Sequence, residues 1–344
     1  MLVRARSPLR LGLAGGGTDL SPYCDQHGGA VLNATIDLYA YATLEIGGNR
    51  NAVEFATADT NEECTFELSG DAWLEPGTLQ LHRAVYQRIV RDHLGGRPIG
   101  CRLTTYCEAP PGSGLGSSST LVVSMVKTFS EALGLPLGEY DIAHLAYEIE
   151  RLDAGLMGGR QDQYAATFGG FNFIEFYADD RVIVNPLRIK DWIVSELEAS
   201  IVLFHTGVSR ESANIIAEQT RNISEIGSGS VDAMHELKAD AFSMKEALLR
   251  GEILRMGEIL NSSWASKRRT AHAVSNTRID DAIAAAFASG ARAAKVSGAG
   301  GGGFMLFLVD PIRRLELIRS LEQMPGHVVS CSFARHGAES WRID

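Results

Sequence analysis

Hydrophobic and polar positions follow two different periods along the first half of the chain, which predicts a mixture of strands and helices. Strands are predicted at residues 3–13, 30–46 and 101–107, the second of them from alternation and its content of Val, Ile, Thr and Tyr. Helices are predicted at residues 79–94, where apolar positions recur on one side, and at residues 118–133 and 137–152. Two apolar runs around Asp179-Asp180 predict a hairpin, over residues 170–176 and 181–184.

The order of the predicted elements changes in the second half, where helices dominate. They are predicted near residues 209–220, 231–249, 251–265, 278–288 and 311–324, with strands at 200–205, 293–296, 303–309 and 327–333. A length of 344 residues is sufficient for two domains that each bury a core. We therefore place a boundary near Ile189 and predict one domain over residues 1–189 and a second over residues 190–344.

Composition and charge restrict the class of function. Hydrophobic residues make up 45% of the chain and charged residues 22%, which is ordinary for a soluble globular protein. A formal net charge of −10 argues against a nucleic-acid partner, because phosphate backbones require clustered Lys and Arg. The cysteines show no Cys-x-x-Cys spacing, and no apolar run is long enough to cross a bilayer. The sequence thus predicts a cytoplasmic protein without a disulfide framework, a zinc site or a membrane partner.

A loop rich in glycine and serine follows the strand predicted at 101–107 and leads into an apolar helix. It reads Pro111-Gly112-Ser113-Gly114-Leu115-Gly116-Ser117-Ser118-Ser119. Glycines let the backbone approach a ligand closely, and the unpaired N–H groups of a helix start attract phosphate. A serine hydroxyl there can also bind Mg²⁺, which prefers oxygen. The alternatives are a capped turn or a flexible connector, and both the Walker A lysine and the acidic residue of a Rossmann fingerprint are missing.

Three segments, in order along the chain, resemble the motifs of the GHMP kinases, the superfamily of galactokinase, homoserine kinase, mevalonate kinase and phosphomevalonate kinase. The central motif is the loop at residues 111–119, the first covers residues 7–19 with Gly15-Gly16-Gly17, and the third covers residues 295–303. The resemblance implies an α+β fold of two domains. An N-terminal α/β domain would bind ATP, a ferredoxin-like C-terminal domain would follow, and the active site would lie between them, with ATP and Mg²⁺ as cofactors.

The resemblance also implies two catalytic residues. Phosphoryl transfer requires positive charge near the moving phosphate and a group that orients the attacking hydroxyl. The segment ending in Asp162-Gln163 is similar to the galactokinase segment whose aspartate accepts or orients the substrate proton, so Asp162 is expected in that role, with a helix N-cap as the alternative. Arg10 matches the arginine beside that aspartate, where it would lower the pKa of the carboxyl group. The alternative for Arg10 is an ordinary surface residue of a strand.

A metal-binding pair is implied in the same way. Ser118 matches the loop serine that binds Mg²⁺, and Glu150 stands twelve residues before Asp162, as the Mg²⁺-binding glutamate of galactokinase does. The alternative is a solvated glutamate on a helix, and only this spacing favours Glu150 over Glu148.

The first motif departs from galactokinase where the sugar would bind. Thr18 and Asp19 match a Thr-Asp pair that contacts the sugar, but Gly16 and Gly17 replace the Glu-His that precedes this pair in galactokinases. The two missing side chains argue against galactose. The glycines would leave more room and offer backbone N–H groups to a different sugar.

Residues 15–22, with residues 28–29 and 33–37 downstream, most resemble the D-glycero-D-manno-heptose-7-phosphate kinase family. That family phosphorylates the anomeric hydroxyl of a heptose 7-phosphate on the route to nucleotide-activated heptose. A substrate with its own phosphate needs a second basic site. The candidates are Arg210, Lys267 and Arg268. For the cluster at residues 267–269, solvated charges at a helix end are the alternative.

Further expectations concern the third motif and rival functions. Gly300 and Gly301 are expected beside the substrate, although a tight turn would also require glycine.

An L-fucose kinase shares a related first motif, and a non-catalytic sugar-sensing regulator is the rival from another class. The intact set of catalytic residues argues against the regulator. The sequence leaves the oligomeric state open, a homodimer included.

Overall fold

A computed structural model of the chain describes residues 1–47, 50–69, 73, 75, 77–208, 212–224 and 229–343. The strands are β1 (Leu2–Ala14), β2 (Gly29–Ile46), β3 (Ala52–Thr57), β4 (Glu62–Glu67), β5 (Cys101–Cys107), β6 (Phe171–Phe176), β7 (Val182–Pro186), β8 (Ile201–His205), β9 (Ala291–Val296), β10 (Phe304–Val309), β11 (His327–Val329) and β12 (Glu339–Ile343). The α-helices are α1 (Tyr23–His27), α2 (Gln80–His93), α3 (Ser117–Leu133), α4 (Glu139–Glu148), α5 (Gln161–Phe168), α6 (Asp191–Ser200), α7 (Ser212–Ser224), α8 (Ser230–Arg250), α9 (Ile253–Arg268), α10 (Thr277–Ala288) and α11 (Arg314–Leu321). A π-helix covers Ile149–Asp153, and 3₁₀ turns cover His272–Val274 and Pro311–Arg313. No helix in these ranges is long and apolar enough to cross a membrane.

The larger sheet is built around the two long strands β1 and β2. Its order is β12-β1-β2-β5-β3-β4, and β6 and β7 extend it from β2. Pairing is antiparallel except between β3 and β5. Helices cover both faces. Leu9, Leu11 and Leu13 of β1 belong to a core with α8 and α9, and Ala42 and Leu44 of β2 belong to a core with α2 and α3.

The second sheet has the order β11-β8-β10-β9 with antiparallel neighbours. All of β10 is buried because both faces are covered: Phe304 and Leu306 join the core shared with β1, and Met305 and Phe307 join a core with α10 and α11. Counted along the chain, the strand order is fourth, first, third, second, which is the ferredoxin-like arrangement. The predicted α+β fold with a ferredoxin-like second half is confirmed.

Some elements differ from the sequence prediction. The helix predicted at 137–152 is α4 followed by the π-helix, and the strand predicted at 327–333 is limited to β11, beyond which Phe333 forms an isolated bridge with Ile36. The pattern does not predict α1, α5, α6, β3, β4 or β12, which are short or partly exposed. The domain boundary near residue 189 stays a prediction. The final strand, β12, lies in the larger sheet with the N-terminal elements.

Candidate active site

The glycine- and serine-rich loop connects β5 to α3 and depends on glycine for its path. Gly112, Gly114 and Gly116 have φ angles of 71°, 81° and 81°, in the left-handed region that glycine adopts without strain. A Cβ on Gly114 would lie 2.5 Å from the carbonyl oxygen of Ser297, so the loop packs backbone against backbone on the third motif. The N–H of Phe304 also donates to the carbonyl oxygen of Ser113 at 2.8 Å.

This loop forms one wall of a cavity of about 640 Å³. The loop residues that line the cavity are Pro111, Gly112, Gly114, Gly116, Ser117, Ser118 and Ser119. Ser113 and Leu115 are instead fully buried, and Leu115 anchors the loop in the core. Because α3 begins at Ser117, its unpaired N–H groups and the positive end of its dipole lie at the cavity wall, where they favour a phosphate.

The other walls come from both halves of the chain. Among the predicted residues, Arg10, Gly17, Asp19, Glu150, Asp162 and Lys267 line the same cavity. Its apolar lining includes Leu81, Cys107, Ala109, Leu121, Leu156 and Met157. A planar apolar group and a chain of phosphates could therefore be accommodated together.

Asp162 and Arg10 form an ion pair beside the loop, in which Arg10 is buried and the Asp162 side chain is 20% exposed. Both Nε and Nη2 of Arg10 lie 2.7 Å from Oδ1 of Asp162, and Nη1 donates to the carbonyl oxygen of Gly114 at 2.6 Å. A Cβ on Gly116 would lie 3.0 Å from Cγ of Asp162, so glycine gives the carboxylate its space. Asp162 lies in the first turn of α5, whose N-cap is Arg160, so the N-cap alternative does not apply. Burial raises the pKa of Asp162, and Arg10 opposes that shift.

Ser118 and Glu150 form a second pair in the cavity. The Ser118 hydroxyl donates to Oε1 of Glu150 at 2.5 Å, and Nε2 of Gln163 donates to Oε2 at 2.7 Å. Glu150 is fully buried, whereas Glu148 pairs with Arg88 at 2.9 Å and does not line the cavity. Two adjacent oxygen ligands suit Mg²⁺, which commonly takes few protein ligands and completes its shell with phosphate oxygens and water. No group of three His, Cys, Asp or Glu residues suited to a metal occurs in the described part of the chain.

The first motif forms a turn whose Asp19 faces the cavity. Oδ1 of Asp19 accepts from the N–H of Gly17 at 3.1 Å and from Nε2 of Gln161 at 3.0 Å, and Oδ2 accepts from the N–H of Gln161 at 3.1 Å.

Thr18 is placed differently from the expectation. Its buried hydroxyl lies 2.8 Å from the carbonyl oxygen of Gly15, and it accepts from the N–H of Ala30 at 3.0 Å. These contacts shape the turn and leave the hydroxyl away from the cavity.

The predicted basic residues separate in the structure. Nζ of Lys267 donates to the carbonyl oxygen of Gly16 at 3.0 Å, and burial lowers the pKa of Lys267 to about 8. Arg268 instead lies on the exposed side of α9, where it pairs with Asp280 at 3.2 Å. It does not line the cavity, so its predicted role in substrate binding is wrong. Arg210 lies outside the described residues.

Gly300 and Gly301 hold the third motif in place and do not line the cavity. The N–H of Gly301 donates to the carbonyl oxygen of Val274 at 2.7 Å, and its carbonyl oxygen accepts from Nδ2 of Asn276 at 3.0 Å. The neighbouring Gly298 and Ala299 are the residues of this motif at the cavity wall. The tight-turn alternative thus describes Gly300 and Gly301 better than a direct substrate contact.

Four further side chains of this region are not among the residues predicted from the sequence. Gln161 donates to Asp19 and Gln163 donates to Glu150. The feature of the sequence that could have indicated them is their position on either side of Asp162. Lys295 opens the third motif, and its Nζ donates to the carbonyl oxygen of Gly12 at 2.8 Å. Burial, with Lys267 and Arg10 adding repulsion, lowers the pKa of Lys295 to about 7. The fourth is Arg151, which lines the cavity next to Glu150.

Comparison with known proteins gives the family of this chain. The model of the GHMP kinases N-terminal domain matches residues 80–170, and that of the GHMP kinases C-terminal domain matches residues 244–326. The chain is 50% identical over 341 residues to a protein of Campylobacter jejuni described as D-glycero-alpha-D-manno-heptose 7-phosphate kinase, with 99% of each chain covered. The chain belongs to the GHMP kinases. The family resemblance inferred from the motifs is therefore confirmed.

Solved structures agree with this assignment. A structure from Bacteroides thetaiotaomicron, described as a D-glycero-D-manno-heptose 1-phosphate kinase, is 43% identical, covers 99% of each chain and has a TM-score of 0.84. The mevalonate kinase of Methanococcus jannaschii is 18% identical with a TM-score of 0.75, covers 97% of this chain and 98% of its own, and so shares the fold. As a GHMP kinase, the protein takes ATP as a substrate.

Proposed function

We propose that this GHMP kinase transfers the γ-phosphoryl group of ATP to the anomeric hydroxyl of D-glycero-D-manno-heptose 7-phosphate, giving the 1,7-bisphosphate. The observation that carries the choice of substrate is the 50% identity to the Campylobacter jejuni kinase over 99% of both chains. The Bacteroides thetaiotaomicron structure is described as a kinase of the 1-phosphate. In a heptose 1-phosphate the anomeric oxygen already carries a phosphate, so that acceptor could be phosphorylated only at another hydroxyl, and the choice of acceptor separates the two activities.

Asp162 and Arg10 are the proposed catalytic residues. Phosphoryl transfer depends mainly on positioning and on neutralising charge. Asp162, held by Arg10 at 2.7 Å, would orient the attacking hydroxyl and accept its proton. The Arg10 guanidinium lies between this carboxylate and the carbonyl oxygen of Gly114, so it would also stabilise charge on the transferred group.

The nucleotide is proposed to lie along the loop at residues 111–119. The N–H groups at the start of α3 would bind its phosphates, and the apolar lining around Leu121 and Met157 would accommodate the base. Ser118 and Glu150 are the proposed ligands of Mg²⁺. A metal ion held by their oxygens would supply positive charge to the phosphates.

The sugar phosphate is proposed to bind at the other side of the Asp162–Arg10 pair. Asp19 and Gly17 line the cavity, whereas Gly16 does not. Asp19 would accept hydrogen bonds from sugar hydroxyls, and Gly17 would leave room for the sugar. Lys267, whose Nζ contacts the carbonyl oxygen of Gly16 in this turn, is proposed to bind the phosphate of the substrate. A contribution from Arg210 stays a proposal that rests on its sequence position alone.

An acceptor panel tests the assignment. The purified protein is incubated with Mg-ATP and heptose 7-phosphate, heptose 1-phosphate, L-fucose or galactose, and ADP release gives kcat/KM for each sugar. We expect heptose 7-phosphate to be preferred over L-fucose and galactose by at least about a hundredfold, because a bound phosphate adds several charge-assisted hydrogen bonds. Heptose 1-phosphate should be a poor acceptor because it has no free anomeric hydroxyl. A preference for L-fucose or for heptose 1-phosphate would refute the proposed substrate. Binding of a sugar without turnover of any acceptor would indicate a regulator.

A further inference from the structure

The helix that carries Glu150 changes its winding at this residue. After α4 ends at Glu148, the π-helix Ile149–Asp153 follows, and the N–H of Ala154 donates to the carbonyl oxygen of Ile149, five residues earlier, at 2.8 Å. Such wide turns are rare and occur frequently at functional sites. Because a wider turn rotates less from one residue to the next, neighbouring side chains lie closer to the same side. Glu150 and Arg151 consequently both line the cavity.

The guanidinium of Arg151 lies against the phosphate loop and the proposed metal ligand. Its Nη1 is 3.2 Å from Oε1 of Glu150, the same oxygen that accepts from Ser118, and its Nη2 is 3.5 Å from Oγ of Ser119. These distances are long for charge-assisted hydrogen bonds, which are usually about 2.7–2.9 Å. Arg10 in the same cavity reaches the carbonyl oxygen of Gly114 at 2.6 Å and the carboxylate of Asp162 at 2.7 Å. The Arg151 guanidinium thus lies close to the phosphate loop, and its contacts with Glu150 and Ser119 are long.

Backbone carbonyls keep Arg151 in this position. Its guanidinium donates to the carbonyl oxygen of Gly159 at 3.2 Å and to that of Leu156 at 3.3 Å. A Cβ on Gly158 would lie 2.3 Å from Cζ of Arg151, so the absence of a side chain at Gly158 leaves the guanidinium its space. The side chain is 11% exposed, which makes it a pre-positioned cation rather than a solvated one.

We propose that Arg151 binds the terminal phosphates of ATP, as a second positive group beside the metal site. This inference rests on the proposed binding of ATP along the loop. If Ser118 and Glu150 hold Mg²⁺, the metal would supply the positive charge that Arg151 now offers to the Glu150 carboxylate. The fork of the guanidinium would then face the phosphates at the start of α3, a geometry that suits bidentate binding.

The competing role for Arg151 is to hold residues 156–159 in place. Leu156 and Met157 of this segment belong to the apolar lining proposed for the base. A purely structural arginine would therefore affect every adenine nucleotide alike. A phosphate-binding arginine would affect ATP and spare AMP.

Binding measurements on Arg151→Gln and Arg151→Lys separate these roles. Affinities for AMP and for the non-hydrolysable imido analogue of ATP are measured by calorimetry or competition, with Mg²⁺ and without sugar. We expect Arg151→Gln to lower the affinity for the ATP analogue at least about tenfold and to change that for AMP less than twofold. Arg151→Lys should recover part of the loss because it restores the charge.

Arg88→Gln is the matched control. Arg88 bonds Glu148 at 2.9 Å and Asp153 at 2.7 Å, at the two ends of the π-helix, but does not line the cavity. This variant should lower the melting temperature and leave both affinities unchanged. Equal losses for AMP and the ATP analogue in Arg151→Gln, no loss for either, or the same selective loss in Arg88→Gln would overturn the proposal. A wild-type protein that binds neither nucleotide would refute the proposed ATP site itself.

Discussion

Replacing Asp162 by Asn tests the proposed catalytic pair. The substitution keeps the size of the side chain and one oxygen that can accept from Arg10, but it removes the charge that accepts a proton. Loss of a general base typically lowers the rate by about 10²–10⁴-fold. We expect kcat to fall within this range and the KM for ATP to change less than threefold, because the phosphate loop is not altered.

The effect on folding should be much smaller than the effect on rate. Removing one partner of a buried ion pair can cost about 3–5 kcal/mol. Here Arg10 retains the carbonyl oxygen of Gly114 at 2.6 Å and an amide oxygen in place of the carboxylate. Burial also raises the pKa of Asp162, so its ionised form already opposes folding at neutral pH, and Asn removes that cost. We expect the free energy of unfolding to fall by about 1–2 kcal/mol.

Steady-state kinetics and the pH profile give the decisive readout. In the wild type, activity should fall with decreasing pH as Asp162 is protonated, with a midpoint above the ordinary carboxyl pKa of 3.8. The Asn variant should lose this acidic limb. A kcat within tenfold of the wild type, or an unchanged acidic limb, would refute the role of Asp162, provided that ATP binding is intact.

Three further substitutions probe the proposed metal ligand, the proposed phosphate-binding lysine and the packing of the third motif on the loop. Glu150→Gln should raise the Mg²⁺ concentration for half-maximal activity by at least about tenfold, measured by Mg²⁺ titration, and an unchanged value would remove Glu150 as a ligand. Lys267→Met should raise the KM for the sugar phosphate by about 10- to 100-fold, with little change for ATP. The charged form of Lys267 would bind the phosphate, so wild-type kcat/KM should also decline as pH rises through about 8; a profile that is flat there would contradict this role. Gly303→Ala should lower the free energy of unfolding by at least about 1–2 kcal/mol in chemical denaturation. Its φ is 78° and the added Cβ would lie 2.3 Å from the carbonyl oxygen of Ser113, so an unchanged stability would show that this packing is not tight.

The sequence predicts the parts of the site that depend on local patterns. The loop at residues 111–119 combines glycines with a helix start, so its conformation follows from the residues themselves. Glu150 could be separated from Glu148 only by spacing. The structure separates them physically, since the π-helix carries Glu150 into the cavity and Glu148 pairs with Arg88 on the other side.

Other features depend on tertiary contacts that no local pattern contains. Lys267 and Arg268 are adjacent, but successive side chains of a helix point in different directions, and only the packing of α9 decides which one faces the cavity. Thr18 fits the expected motif, yet the neighbouring strand β2 engages its hydroxyl through Ala30. The bond from Lys295 to the carbonyl oxygen of Gly12 joins β9 to β1, two strands that lie far apart in the sequence.

The position of the transferred phosphate tests the central proposal most directly. The protein is incubated with Mg-ATP and D-glycero-D-manno-heptose 7-phosphate, and the product is followed by phosphorus NMR. The account predicts a bisphosphate whose new phosphorus couples to the anomeric proton, formed together with one equivalent of ADP. No bisphosphate from this acceptor, under conditions where heptose 1-phosphate or L-fucose is phosphorylated, would contradict it.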